Sequence, residues 1–146
     1  MTDNKSAQPK LRLGMIGGGQ GAFIGEAHRI AARLDGRFEL VAGALSADAQ
    51  TAAASAAEVG INSDRSYASF EEMALAEAAR EDGIEVCAIV TPNHLHYPAA
   101  AALLRAGIHV ICDKPLTATL AQAEELAELA DSSGLLFAVT YNYSAY

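Results

Sequence analysis

Short apolar runs alternate with segments of helical periodicity along almost the whole chain. The apolar runs predict six strands, at residues 10–17, 37–45, 66–68, 84–91, 108–112 and 135–140. The fourth run is nearly continuous in apolar residues, which is typical of a strand covered on both faces.

Between these runs, apolar residues recur at the three- and four-residue spacing of helices. The pattern predicts helices at residues 22–34, 47–58, 70–80, 97–107 and 120–132. Ser46, Ser69 and Thr119 are the expected N-caps, and Gly60 and Gly134 the expected stops. Strand and helix alternate with short connections, which predicts an α/β fold: a doubly wound parallel sheet of six strands in the order 3-2-1-4-5-6.

Composition fits one globular domain of 146 residues, of which 51% are hydrophobic. Residues 1–9 are polar and predicted to be a disordered tail, so the domain covers 10–146. The net charge of −8 argues against nucleic acid as a partner. Neither a signal peptide nor a membrane-spanning run is predicted, and Cys87 and Cys112 lie in apolar runs as expected for reduced thiols, which favours a cytoplasmic location.

The turn after the first strand is rich in glycine. Its spacing, Gly17-x-Gly19-x-x-Ala22, fits a dinucleotide-binding turn. Gly17 would permit the tight turn, Gly19 would let a pyrophosphate approach the backbone, and Ala22 or Gly25 would let the helix pack closely. The helix N-terminus would bind phosphate through its N–H groups. A turn without a ligand and an S-adenosylmethionine site are the alternatives. The predicted cofactor contacts here are Gly17, Gly19, Gln20, Gly21, Ala22 and Phe23.

The end of the second strand bears on the choice of cofactor. Dinucleotide sites often carry an acid there, which binds the adenosine ribose. In this chain Leu45 and Ser46 occupy the place, and Asp48 lies beyond it. Ser46 could bond a ribose or a phosphate, or act only as an N-cap, so the sequence leaves NAD and NADP open.

Four segments in this order resemble the Gfo/Idh/MocA family of NAD(P)-dependent oxidoreductases: residues 14–29, 90–116, 117–130 and 135–144. The most specific features are a TPN-x-x-H segment at 91–96 and an Asp-Lys-Pro triplet at 113–115. In the family the triplet begins with Glu, and Tyr143 stands where many members carry Arg.

The resemblance implies roles for individual residues. Lys114 would stand beside the nicotinamide and the reacting hydroxyl, as the catalytic lysine. The residues expected to line the cofactor are Thr91, Pro92, Asn93, His96, Asp113, Lys114, Pro115 and Asn142. Because Gly17, Thr91 and Asp113 end neighbouring parallel strands, they should face one crevice. His28 and His109 are expected to be structural, and His94 to face solvent or pack within its loop. No histidine has metal-ligand spacing, so no metal is predicted.

The resemblance also implies an activity, hydride transfer between NAD or NADP and a CH–OH group of a sugar, polyol or related cyclic substrate. Family members continue into a second domain that contacts the substrate and forms a homo-oligomer. We therefore expect an N-terminal piece of such an enzyme, inactive alone. The alternative is a freestanding redox-sensing or regulatory module.

Overall fold

The computed structural model describes residues 9–145. The predicted tail, residues 1–9, lies outside this range except for Pro9. Five strands form the sheet: β1 Leu11–Gly17, β2 Phe38–Ala44, β3 Val86–Val90, β4 His109–Cys112 and β5 Phe137–Val139. Five helices cover it: α1 Phe23–Leu34, α2 Ala49–Val59, α3 Phe70–Ala78, α4 His96–Arg105 and α5 Leu120–Ser133. No helix in the described range is long and apolar enough to cross a membrane.

The sheet is parallel throughout, in the order β2-β1-β3-β4-β5. Two apolar cores lie on its two faces. One contains buried residues of α3, α4 and α5, among them Met73, Leu103 and Leu126. The other packs α1 and α2 against β1 and β3, around Met15 and Ala88. The predicted doubly wound α/β fold is confirmed.

The predicted third strand, residues 66–68, is wrong as a strand. Only Ser66 pairs with the sheet, through a parallel bridge to Gly43 at its β2 edge. The turn Ser63–Arg65 precedes it, and Ser69 caps α3 just after it. That leaves room for one bridging residue, so the sheet has five strands, and the order of the other five agrees with the prediction.

The predicted start of the second helix is also wrong. Asp48, and not Ser46, is the N-cap of α2, because its carboxylate accepts hydrogen bonds from Thr51 N and Oγ1 at 2.8 and 2.6 Å. Ser46 Oγ instead accepts from Asp48 N at 3.1 Å. The caps Ser69 and Thr119 are confirmed, as is the left-handed stop at Gly60.

Candidate functional site

Three strand ends meet at the carboxyl edge of the sheet. Gly17, the last residue of β1, lies opposite Val90 of β3, so that Thr91 follows directly beside it. Asp113, just after β4, donates its N–H to Ile89 O at 2.9 Å. The three predicted exits therefore lie side by side, at the edge where parallel sheets of this kind bind ligands.

The glycine turn has the backbone that only glycine adopts easily. Gly17, Gly18 and Gly21 have φ values of 79°, 73° and 79°. A Cβ at Gly17 would lie 3.0 Å from both Thr91 Cγ2 and Val90 O. The tight turn out of β1 thus requires glycine at this position.

Gly19 also has close neighbours within the protein. A Cβ there would lie 2.7 Å from Leu45 O and 2.8 Å from Ser55 Oγ, so its close approach is to α2 and the end of β2. The Gly19 N–H donates to Leu45 O at 3.1 Å. A bulky substitution at Gly19 would therefore distort the turn whether or not a ligand approaches.

Gly25 has the packing role that the sequence pattern gave to Ala22 or Gly25. A Cβ at Gly25 would lie 2.4 Å from Gly18 Cα, so α1 contacts the turn backbone to backbone. Ala22 is the N-cap of α1 and supplies no side-chain hydrogen bond. The backbone N–H groups in the first turn of α1 therefore receive no acceptor from the N-cap side chain. Such N–H groups are the ones that bind an anion at a helix N-terminus.

We expect Gly25→Ala to lower the free energy of unfolding by about 1–3 kcal/mol, because the added methyl forces the helix and the turn apart. Urea denaturation measures the change. Glu26→Ala is the matched control, since Glu26 is exposed on the same helix. Equal stability of the two variants would contradict the backbone contact.

Two side chains that the sequence did not single out support the turn. Ser55 is buried in α2, accepts from Gln20 N at 2.9 Å and donates to Thr51 O at 2.6 Å. Arg29 Nη1 donates to Gly18 O at 2.7 Å. The available signals were a serine within an alanine-rich helix and an arginine four residues after Gly25.

Thr91 carries an unusual hydroxyl. Its Oγ1 is buried and has no hydrogen-bond partner among the described residues. Such groups in proteins are normally bonded, so an unpaired one needs an explanation. Pro92 and Asn93, which follow it, are exposed on the turn before α4.

His96 is the first residue of α4, directly after this turn, and is only 1% exposed. Its Nδ1 lies 2.7 Å from Pro115 O and its Nε2 lies 2.9 Å from Thr91 O. The ring therefore joins the segment after β3 to the loop after β4. His96 therefore contacts both strand exits through their backbone carbonyl oxygens.

Lys114 lines one end of a cavity of about 500 Å³ between α1 and the sheet, which runs from Leu13 of β1 and Phe38 of β2 to the ends of β4 and β5. Asp113, Asn142 and His28 line the same cavity. Asp113 Oδ1 accepts from Thr140 Oγ1 at 2.7 Å, and the Lys114–Pro115 peptide bond is cis. Burial lowers the pKa of His28, against the opposing charge of Asp113. His28 thus lies at this cavity, although the sequence suggested only a structural role.

The remaining residues predicted to contact the cofactor do not line the same cavity as Lys114. A larger cavity of about 720 Å³ follows the groove between α1 and α2, and its upper end lies at the glycine turn. Among its lining residues are Gly19, Gln20, Gly21, Ala22 and Phe23. Ser46 is half-buried at the end of β2 and lines neither cavity.

The other candidate groups have structural surroundings. His109 Nδ1 accepts from Leu136 N at 3.0 Å, and His94 is exposed. Cys87 and Cys112 are buried free thiols, and burial raises the pKa of both, that of Cys112 to about 12. Within residues 9–145, no three His, Cys, Asp or Glu side chains are grouped as metal ligands would be.

Comparison with known proteins gives consistent matches. Residues 11–141 match GFO_IDH_MocA, described as an oxidoreductase family with an NAD-binding Rossmann fold. The uncharacterized oxidoreductase YfiI of Bacillus subtilis is 43% identical over 135 residues, which are 92% of this chain and 34% of that protein. An oxidoreductase from Sinorhizobium meliloti superposes with a TM-score of 0.90 at 58% identity, covering 95% of this chain and 38% of that one.

An inositol dehydrogenase homolog from Azotobacter vinelandii, complexed with NADH and myo-inositol, superposes with a TM-score of 0.90 at 39% identity. The match covers 94% of this chain and 36% of that one. The chain thus spans little more than a third of the length of these relatives, at 34–38%.

Proposed function

We propose that this chain, which belongs to the Gfo/Idh/MocA family of NAD-binding oxidoreductases, holds NAD(H) or NADP(H) across the exits of β1, β3 and β4 for hydride transfer. The substrate would carry a CH–OH group on a sugar, a polyol or a related cyclic compound. The relative complexed with NADH and myo-inositol supports this class of substrate.

The observation that carries the proposal is the unpaired hydroxyl of Thr91. It is buried next to Gly17. A bound cofactor would supply the hydrogen-bond partner that is missing among the described residues, once the Thr91 side chain turns out of its buried position. The uncapped start of α1 fits the same ligand, because its N–H groups and helix dipole favour a diphosphate.

In this proposal, different residues would bind the diphosphate, contact the nicotinamide end and transfer the proton. The glycine turn and the first turn of α1 would bind the diphosphate, and Thr91 and Asn93 would contact the part of the cofactor near the reacting ring. When bound, the nicotinamide accepts or gives the hydride. Lys114 would take the proton of the substrate hydroxyl during oxidation and return it during reduction. Asp113, fixed by Thr140, would hold the loop that carries the lysine.

The residues at the expected adenosine end of the site favour NAD(H) over NADP(H). Asp48 is an exposed acid at the start of α2, just beyond β2, and its carboxylate would repel the 2′-phosphate of NADP. The hydrogen bonds from Thr51 lower the pKa of Asp48, so the repelling charge is present at neutral pH. Calorimetric titration with NADH and NADPH should therefore give the tighter binding with NADH.

Thr91→Val tests whether the Thr91 hydroxyl contacts the cofactor. Valine keeps the shape of threonine and removes the hydroxyl. We expect NADH affinity to fall roughly tenfold, as for the loss of one hydrogen bond. The free energy of unfolding of the free protein should stay the same or rise, since the hydroxyl has no partner among residues 9–145. Calorimetry and urea denaturation measure the two quantities.

Thr140→Val is the matched control, because the Thr140 hydroxyl donates to Asp113 at 2.7 Å. That variant should lose stability through the unpaired carboxylate. If Thr91→Val loses stability and keeps its NADH affinity, the hydroxyl has a structural role. If the unchanged chain gives no heat with millimolar NADH or NADPH, the proposed function is wrong.

A further inference from the structure

The hydroxyl of Ser55 links the glycine turn to α2. Ser55 is only 2% exposed, and its Oγ accepts a hydrogen bond from Gln20 N at 2.9 Å. The same hydroxyl donates to Thr51 O at 2.6 Å, so its one hydrogen is used there and a lone pair is left for the Gln20 N–H. A Cβ at Gly19 would lie 2.8 Å from Ser55 Oγ, so glycine at this position leaves the space that the hydroxyl occupies.

The bond from Gln20 to Ser55 leaves a defined set of N–H groups in the turn for a ligand. Gly19 N donates to Leu45 O at 3.1 Å, and Ala22 N donates to Gly19 O at 3.0 Å. These two N–H groups and that of Gln20 are therefore bonded within the protein. Among residues 9–145, no acceptor is hydrogen-bonded to the N–H of Gly21. That N–H and those in the first turn of α1 are the ones left to bind a diphosphate.

Both polar groups of the peptide between Gly19 and Gln20 are hydrogen-bonded, its carbonyl to Ala22 N and its N–H to Ser55 Oγ. We propose that Ser55 is a positioning residue of the cofactor site, because its bond to this peptide fixes the turn so that the next N–H, that of Gly21, faces the diphosphate. Without the hydroxyl, the peptide keeps only one of its two bonds and can rotate. The inference rests on the proposed function, since the diphosphate is the ligand that the turn would hold.

The helix that carries Ser55 also begins with the acid at the expected adenosine end of the site. Asp48 caps α2, and its carboxylate accepts from both Thr51 N and Thr51 Oγ1. Thr51 O accepts from Ser55, so a continuous chain of hydrogen bonds joins Asp48 to Gln20. Asp48 and Ser55 lie about 10 Å apart along the helix axis. The helix α2 therefore sets the spacing between the adenosine end and the diphosphate turn.

Amide hydrogen exchange of the ¹⁵N-labelled chain without cofactor tests the contact itself. We expect the Gln20 amide to be protected in the unchanged chain and to lose this protection in Ser55→Ala. The Gly19 amide, which donates to Leu45 O, should stay protected in both and is the internal control. Rapid exchange at Gln20 in the unchanged chain would overturn the proposal, and this measurement requires neither a ligand nor a variant that folds.

Calorimetric titration with two ligands tests the positioning role. NADH and ADP-ribose both carry the diphosphate, and only NADH carries the nicotinamide. Ser55→Ala should weaken the binding of both ligands by the same factor, about three- to tenfold, as for the loss of one hydrogen bond. Ser133→Ala is the matched control, because Ser133 makes the same kind of bond to a helix carbonyl, that of Ala130 in α5. That variant should keep both affinities.

Urea denaturation separates this role from a purely structural one. If Ser55→Ala lowers the free energy of unfolding and keeps both affinities, Ser55 only supports the fold and the proposal is wrong. A loss of affinity confined to NADH would place the effect at the nicotinamide end and would also contradict it. If the unchanged chain binds neither ligand, the proposed function is wrong and the positioning role with it, whereas failure of the Ser55→Ala prediction alone leaves the proposed function standing.

Discussion

Lys114→Ala should lower kcat by about 10²–10⁴-fold, the usual contribution of a positioned proton-transfer group. The assay is NADH formation from a polyol such as myo-inositol, using the protein encoded by the full coding sequence. Cofactor affinity should change little, because the diphosphate would be held at the glycine turn. A fall in kcat with an unchanged cofactor dissociation constant is the pattern of an interaction made only in the transition state.

Lys10 offers a matched control for this experiment. It is an exposed lysine at the start of β1, at the opposite edge of the sheet from Lys114. Lys10→Ala should leave both kcat and cofactor affinity unchanged. If Lys114→Ala reduces cofactor affinity as much as kcat, the lysine acts in binding or folding. If the unchanged protein binds NADH and oxidises no polyol, sugar or cyclic alcohol, a redox-sensing module becomes the better description.

The strand ends and the glycine turn could be predicted from the sequence because their causes are local. Gly17 is required by the backbone of one tight turn, and Thr91 and Asp113 end apolar runs that alternate with helices. In a parallel sheet, alternation with helices places all such ends at one edge. The motifs at 91–96 and 113–115 then led to the correct family.

Contacts between residues that are distant in the sequence could not be predicted. Gly25 is needed because Gly18 lies against it, and Gly19 because Leu45 and Ser55 lie against it. The spacing of small residues does not reveal which backbone approaches which. The two contacts of His96 join residues five and nineteen positions away, which no periodicity predicts.

The departure at Asp113 has a physical consequence. Aspartate is one methylene shorter than the glutamate common in the family, so its carboxylate stays close to the end of β4. There Thr140 Oγ1, just beyond β5, donates to it at 2.7 Å. The loop that carries Lys114 is therefore tied to the neighbouring strand end, which would limit the motion of the lysine.

A buried polar cluster lies beside the single bridging residue Ser66, where the third strand was predicted. Glu77 of α3 is 1% exposed and accepts from Arg65, from Tyr67 Oη at 2.7 Å and from Ile84 N at 3.0 Å. Tyr67 belongs to this cluster, where burial and Glu77 raise its pKa to about 12.

Glu77→Ala should lower the free energy of unfolding by about 3–5 kcal/mol, because it removes the buried partner of the Arg65 guanidinium and leaves only the exposed Asp82 carboxylate at 3.7 Å. Urea denaturation measures the loss. Glu71→Ala is the matched control, an exposed acid on the same helix, and should cost less than about 1 kcal/mol. The double variant Arg65→Met/Glu77→Leu removes both charges and should be more stable than Glu77→Ala.

The same cluster predicts how stability depends on pH. Burial opposes ionisation of Glu77, but the hydrogen bonds from Arg65 and Tyr67 outweigh it and lower the pKa of the carboxyl. A carboxyl with a lowered folded-state pKa stabilises the fold above its unfolded value, and this stability is lost as pH falls through the lowered value. The urea midpoint of the unchanged chain should therefore drop on acidification more steeply than that of the Arg65→Met/Glu77→Leu variant. Parallel curves for the two proteins would mean that other carboxylates account for the acid sensitivity.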